Sequence, residues 1–238
     1  MISGPPTVHR LVVAIVLTVA GLSAVAPTGT AQPCPDIGVA FARGTGEQPG
    51  LGAVGQRFID SLRAQAFPRT VGGYGVNYPA SSNFTDGQAF TMNVVDGVRD
   101  EANHVQGVTS VCPQTRMILG GYSQGAVVTA FVTSGLPAGL AAGSAPSISA
   151  DAAEHVDAVV LFGTPAGQSL VKYGAPAVDV GPMYTAKSLE FCAPGDNVCS
   201  GDPVPGINGA HGQYAVNGMV DQAAAFAVSR LTQPPAPM

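Results

Sequence analysis

The sequence predicts an α/β fold in which a mainly parallel sheet is covered by helices on both faces, and three observations predict it. Short apolar runs such as Ile37–Ala42 and Val156–Phe162 have the length and unbroken hydrophobicity of strands buried on both sides. Between such runs lie segments whose apolar residues recur at three- and four-residue spacing, the mark of one helix face. The stretch Met117-Ile118-Leu119-Gly120-Gly121-Tyr122-Ser123-Gln124-Gly125-Ala126-Val127-Val128 passes from an apolar run through a glycine-flanked serine into a second apolar segment. It reads as strand, sharp turn and helix. With 238 residues the chain can bury one full core, and no internal repeat divides it.

The elements follow in order. Residues 1–31 read as an export signal: His9 and Arg10 make a weakly basic start, an apolar run follows, and small residues offer cleavage after Ala26 or Ala31. The run falls short of the roughly 20 residues of a membrane span. A removable signal is therefore expected rather than an anchor. Residues 32–232 form the expected single domain, exported to the medium or the cell wall, and residues 233–238 a proline-rich tail.

Within the domain, Ile37–Ala42 is the first strand, ending at Arg43-Gly44-Thr45-Gly46-Glu47, and Val54, Phe58, Ile59 and Leu62 mark a helix. Residues 68–73 read as a loop, and 75–78 as a second strand stopped by Pro79. Phe90, Val94, Val98, Ala102 and Val105 trace the next helix, and 116–119 the strand under Ser123. Residues 136–149, rich in glycine, alanine, proline and serine, read as a surface excursion. Val156–Phe162 and Ser188–Phe191 are later strands, and Met219, Ala223, Phe226 and Ala227 mark the last helix.

Composition excludes some functions. Charged residues make up 11% of the chain, against about 25% in an ordinary domain. A net charge of −5 with only 10 Lys and Arg argues against a nucleic-acid partner. Four cysteines, Cys34, Cys112, Cys192 and Cys199, read as two disulfides in an exported chain. Of the three pairings, Cys192 with Cys199 closes a tight local loop and leaves Cys34 for Cys112. No histidine stands near them at ligand spacing, so no metal site and no cofactor are expected.

The Gly-x-Ser-x-Gly pattern has a chemical reading. A nucleophilic serine needs a sharp turn that lifts its hydroxyl clear of the backbone, and the helix that follows aims its first N–H groups at developing negative charge. Such a serine needs a histidine to take its proton and a carboxylate to orient the histidine, in the chain order Ser, Asp or Glu, His. Only His155 and His211 follow Ser123. His155 sits among Glu154 and Asp157 at the mouth of a strand and reads as a loop histidine. His211 lies in a glycine-rich stretch before the last helix and is the candidate base. Asp196, inside the Cys192–Cys199 loop, is the first candidate carboxylate, with Asp202 next and the isolated Asp179 behind it.

These residues resemble the cutinases, and in particular the secreted cutinase-like esterases of actinobacteria. The likeness runs from about Cys34 to Leu231. It rests on Phe41-Ala42-Arg43-Gly44, Gly120-Gly121-Tyr122-Ser123-Gln124-Gly125, Leu161-Phe162-Gly163, Gly195-Asp196 within the cysteine loop, and His211. The resemblance implies a three-layer α/β-hydrolase fold around a parallel five-stranded sheet, and a triad of Ser123, Asp196 and His211. It also implies an oxyanion hole from Gln124 and from Thr45, where fungal relatives carry serine. Phe84, Pro203, Val204 and Ile207 would line the substrate rim. A monomeric serine esterase acting on ester or lipid substrates is then expected. The same triad would serve an acyltransferase passing the acyl group to a sugar or lipid alcohol, and a non-catalytic binding protein could reuse the scaffold.

Overall fold

Strand β1 (Ile37–Ala42) is apolar and buried along its whole length, as a central strand covered on both faces must be. In the computed structural model, which describes residues 1, 2, 4, 33–83, 87–137, 148–171, 175–202 and 206–231, it pairs with β2 (Val71–Gly75) on one side and β3 (Arg116–Tyr122) on the other. Beyond β3 lie β4 (Val156–Phe162) and β5 (Ser188–Phe191), giving a five-stranded, all-parallel sheet in the order β2-β1-β3-β4-β5.

Helices cover both faces. Helices α1 (Gly52–Ala66) and α7 (Met219–Leu231) pack on one face over Phe41, Phe58, Ile59, Leu62, Phe162, Ala223 and Ala227. Helices α2 (Gly87–Val111), α3 (Gln124–Ser134) and α4 (Ala150–Glu154) pack on the other over Val98, Ala102, Val105, Leu119, Val128 and Leu161. Short helices α5 (Gly167–Val171) and α6 (Asn197–Ser200) sit in the connections. Helix α3 is buried from Gln124 to Val132, which explains why its sequence is apolar all round rather than striped.

The strand order decides where the site lies. From β1 the chain crosses to β2 on one side and returns to β3 on the other. Ligands of open parallel sheets bind at such a reversal, outside the carboxyl ends of the strands. The register levels those ends: Ala42 pairs with Gly121, Tyr122 with Phe162, and Phe162 with Phe191. The segments after Ala42, Tyr122, Phe162 and Phe191 therefore emerge on one rim.

One expected element is displaced. The second strand is Val71–Gly75, so part of the expected 68–73 loop lies in the sheet, and residues 76–78 leave it after one further bond from the Val76 N–H to the Phe41 carbonyl. The glycines that suggest a loop are there for close approach: a Cβ at Gly73 would meet Ile59, and one at Gly75 the backbone of Gly50. The carbonyls of Val76, Tyr78 and Pro79 turn instead to Arg43.

Both disulfides pair as the cysteine spacing suggests, Cys34 with Cys112 and Cys192 with Cys199. Of the excursion at 136–149, Leu136 packs partly against the core and Ile148 is buried, while 138–147 lie outside the described residues. So do the expected export signal apart from Met1, Ile2 and Gly4, the expected tail, Phe84, Pro203, Val204 and the Phe90 side chain. No described helix is long and apolar enough to cross a membrane.

Candidate active site

Ser123 stands between β3 and α3 with φ 54° and ψ −117°, a conformation strained for any residue with a Cβ. The turn closes because its flanks are glycine: a Cβ at Gly121 would strike the backbone of Gly125, and one at Gly125 the carbonyls of Ala42 and Arg43. The Ser123 N–H still continues the sheet, donating to the Phe162 carbonyl at 2.8 Å. Regular structure therefore holds the strained residue from both sides.

His211 sits in a 3-10 turn, Gly209–Gly212, and is 4% exposed. Its Nε2 lies 2.9 Å from Ser123 Oγ, and its Nδ1 lies 2.8 Å from Asp196 Oδ2. An ionised carboxylate only accepts, so Nδ1 carries the hydrogen and Nε2 is left to accept from the serine. The main chain of His211 is fixed as well, because Tyr122 Oη donates to its carbonyl at 2.7 Å.

Asp196 is fully buried. It caps α6 by accepting the Val198 N–H on Oδ1 at 2.9 Å, and on Oδ2 it takes the Tyr214 hydroxyl at 2.5 Å besides His211. Burial pushes its carboxyl upward, but the hydrogen bonds from His211, Tyr214 and Val198 outweigh that and leave it below the usual carboxylate value. The Asp196 and His211 loops are tied together by side chains. Asn197 donates to the Gly206 carbonyl at 2.6 Å and accepts the Asn208 N–H at 3.1 Å, while Asn208 donates to the Gly195 carbonyl.

Thr45 lines the same cavity as Ser123 and His211. Its turn is clamped by a buried cation. Arg43, 3% exposed, donates to the carbonyls of Glu47, Val76, Tyr78 and Pro79. Glu47 accepts the N–H groups of Gly44 and Ala53, and the Gly46 N–H donates to the Ala80 carbonyl at 2.7 Å. Gln124 opens α3, so its N–H belongs to the first turn, whose donors have no partner within the helix. Its side-chain Nε2 and Oε1 are buried without a hydrogen-bond partner among the described residues; nothing in the structure explains this.

The cavity, about 310 Å³, is lined by Thr45, Tyr122, Ser123, Ile207, Asn208, Gly209, His211 and Gly212. Ile207, an expected rim residue, stands at its wall. The other candidates lie apart: Asp202 is exposed and bonded to Ser200, Asp179 is exposed, and His155 Nδ1 lies 3.4 Å from the Thr115 carbonyl beside α4. Among the described residues no group of three or more His, Cys, Asp or Glu is placed to hold a metal ion. Sequence reasoning missed Tyr214, Asn197 and Asn208. Their partners lie 9–18 residues away across loops without periodicity.

Comparison with known proteins identifies the family and the fold. The carboxylesterase Culp1 of Mycobacterium tuberculosis is 40% identical over 233 residues, covering 95% of this chain and 97% of its own length. The phospholipase Culp4 of the same organism is 42% identical, covering 87% of this chain and 84% of its own. A solved Trichoderma reesei cutinase bound to a phosphonate inhibitor superposes with a TM-score of 0.61 at 36% identity, covering 84% of this chain and 78% of that one. The fold is thus the cutinase-like α/β-hydrolase fold. The sequence profile of the cutinase family matches residues 33–231, nearly everything after the candidate export signal, and the chain belongs to that family.

Proposed function

We propose that the protein is an exported carboxylesterase that cleaves short- to medium-chain acyl esters through Ser123, His211 and Asp196. The observation that carries this reading is the unbroken chain from Ser123 Oγ to His211 Nε2 at 2.9 Å and from His211 Nδ1 to Asp196 Oδ2 at 2.8 Å. In this reading His211 takes the Ser123 proton as the oxygen attacks the ester carbonyl, and Asp196 stabilises the imidazolium that forms. The negative oxygen of the tetrahedral intermediate is met by donors from Thr45 and the Gln124 N–H. Imidazolium returns the proton to the departing alcohol, and an acyl-enzyme remains. Water, deprotonated by the same imidazole, then releases the acid and restores Ser123. The chemistry calls for no cofactor.

The cavity supports this substrate class. A site of about 310 Å³ with Ile207 and Tyr122 in its wall suits an aliphatic acyl chain of modest length, and among the described residues that line it none carries a fixed charge. The carboxylesterase Culp1 supports ester hydrolysis, and the phospholipase Culp4 supports a secondary activity on lipid esters. Export is supported by the apolar N-terminal run and by two disulfides, which persist in oxidising compartments.

The test is hydrolysis of a series of esters of rising acyl length by wild type and Ser123→Ala. Turnover is expected to be best for short to medium chains. Ser123→Ala should lower kcat by roughly 10⁶, the scale of removing such a nucleophile, without lowering Tm. Turnover in the variant within about tenfold of wild type would remove Ser123 from the mechanism.

A further inference from the structure

The acid–base pair has a third member. Asp196 Oδ2 receives two donors, the His211 ring at 2.8 Å and the Tyr214 hydroxyl at 2.5 Å. Tyr214 is fully buried, as is Asp196, so water does not compete at this oxygen. The hydroxyl is also oriented from behind, because its own oxygen accepts the Ala193 N–H at 3.0 Å. With that acceptor position taken, its single hydrogen goes to the carboxylate. The disulfide sulfur of Cys199, at 3.4 Å, is the weaker acceptor nearby. The ring is held independently, packed edge-on against Phe162 and His211 at 5.9 and 6.3 Å.

A carboxylate oxygen that already accepts a charge-assisted bond is a poorer partner for a second donor, because the first has drawn off part of its charge. We propose that Tyr214 is a positioning residue that shares Asp196 Oδ2 with His211 and weakens the hold of Asp196 on the imidazolium formed during the reaction. This rests on the triad reading given above. The titratable groups that bear on the pair are Tyr214 itself, Tyr122, whose ring lies 5.2 Å from that of His211, and Glu47, which acts on Tyr122. Burial, and next the bond to Asp196, push the Tyr214 phenol upward, so it stays protonated and remains a donor wherever the enzyme works. Tyr214 does not line the cavity, so substrate binding is not its task.

The experiment compares wild type with Tyr214→Phe on one soluble p-nitrophenyl ester. It reads kcat and KM across pH, together with the His211 Nδ1 proton resonance. Losing the hydroxyl should move the acid limb of kcat/KM to higher pH by up to about one unit, the share of one hydrogen bond in shifting a carboxylate. The Nδ1 resonance should move downfield as the Asp196–His211 bond strengthens, with KM unchanged. Tyr214→Phe also leaves the Ala193 N–H without its partner. A second variant with 3,5-difluorotyrosine at position 214 therefore keeps the hydroxyl and makes it a stronger donor, and its acid limb should move to lower pH. If Tyr214→Phe does not fold, the fluorinated variant decides by the direction of its shift. A limb and resonance that stay in place, or shifts of the opposite sign, would make Tyr214 a structural bond only. Should Ser123→Ala keep its turnover, the esterase reading fails separately, and the His211 resonance still reports whether Tyr214 and His211 share the carboxylate.

Discussion

Ser123 is held by a strand and a helix, whereas Asp196 and His211 are held by loops. On the nucleophile side the contacts are backbone ladder bonds and tight glycine packing between β1, β3 and α3, and the strain at Ser123 is imposed by elements that cannot move separately. On the acid–base side the same precision comes from cross-links: one disulfide around Asp196, the reciprocal Asn197 and Asn208 bonds, and the Tyr122 bond to the His211 carbonyl. The difference teaches where each half is vulnerable. Ser123 cannot be misplaced without disturbing the sheet. The acid–base loops can be loosened while the core stays folded.

The largest effect expected on the acid–base half tests which carboxylate belongs to it. Asp196→Asn should lower kcat by roughly 10³–10⁴, the scale seen when such a carboxylate is neutralised. Asp202→Asn should leave kcat nearly unchanged, because Asp202 is exposed and bonded only locally. Steady-state kinetics on one ester decides, and a reversed pattern would detach the cysteine loop from catalysis. The same carboxylate makes stability depend on acid. Because its folded value is lowered, its contribution is present above the ordinary Asp range and is lost as pH falls through the folded value. In Asp196→Asn that part of the acid-side loss of Tm should disappear.

A smaller effect separates the two disulfides. The Cys34–Cys112 bridge spans 78 positions and the Cys192–Cys199 bridge 7. By the chain-entropy argument the long closure stabilises by about 4–5 kcal/mol and the short one by about 2–3 kcal/mol. Replacing Cys34 and Cys112 by serine should therefore lower Tm more and leave kcat at assay temperature unchanged. Replacing Cys192 and Cys199 should lower kcat with the smaller loss of Tm. Calorimetry beside kinetics checks this, and an unchanged rate in the second variant would mean that the asparagine bonds alone hold Asp196.

The smallest effect lies under the nucleophile side. Glu101 of α2 is fully buried against Thr129 of α3, whose hydroxyl also lies 2.9 Å from the Gly120 carbonyl of β3. Burial pushes its carboxyl well above the usual range, so the folded protein keeps a proton that the unfolded chain gives up. Its stabilising share is present below the ordinary Glu range and is lost as pH rises through the folded value. Glu101→Gln should thus raise Tm at neutral pH, by about 2–4 °C per kcal/mol relieved in a chain of this size, and the gain should vanish near pH ~4. Thermal melts at the two pH values check the sign. Unchanged kcat would show that the sheet side tolerates repair without loss of function.

Much of this half-and-half construction is legible in the chain. The Ser123 turn can be read because its cause is local: the glycines that permit it are two residues away on either side. The central strands can be read because burial on both faces demands unbroken apolar runs. Strand β2 is hidden, since the glycines that let Ile59 and Gly50 come close look like loop glycines when their neighbours are unknown. The carboxylate is open among Asp196, Asp202 and Asp179 on residue pattern alone. Spacing along a loop does not say which oxygen reaches an imidazole.

By itself, then, the sequence determined most of the elements and the glycine-flanked turn at Ser123, because periodic burial and a short steric motif are written in neighbouring residues. The tertiary structure alone decided that Asp196 Oδ2 meets both His211 and Tyr214, that Asn197 and Asn208 tie the two loops, and that Arg43 finds its partners in carbonyls of the β2 exit. Those contacts join segments brought together only when the parallel register levels the strand ends. A bond of that kind depends on where two loops are delivered, which no local pattern of residues encodes.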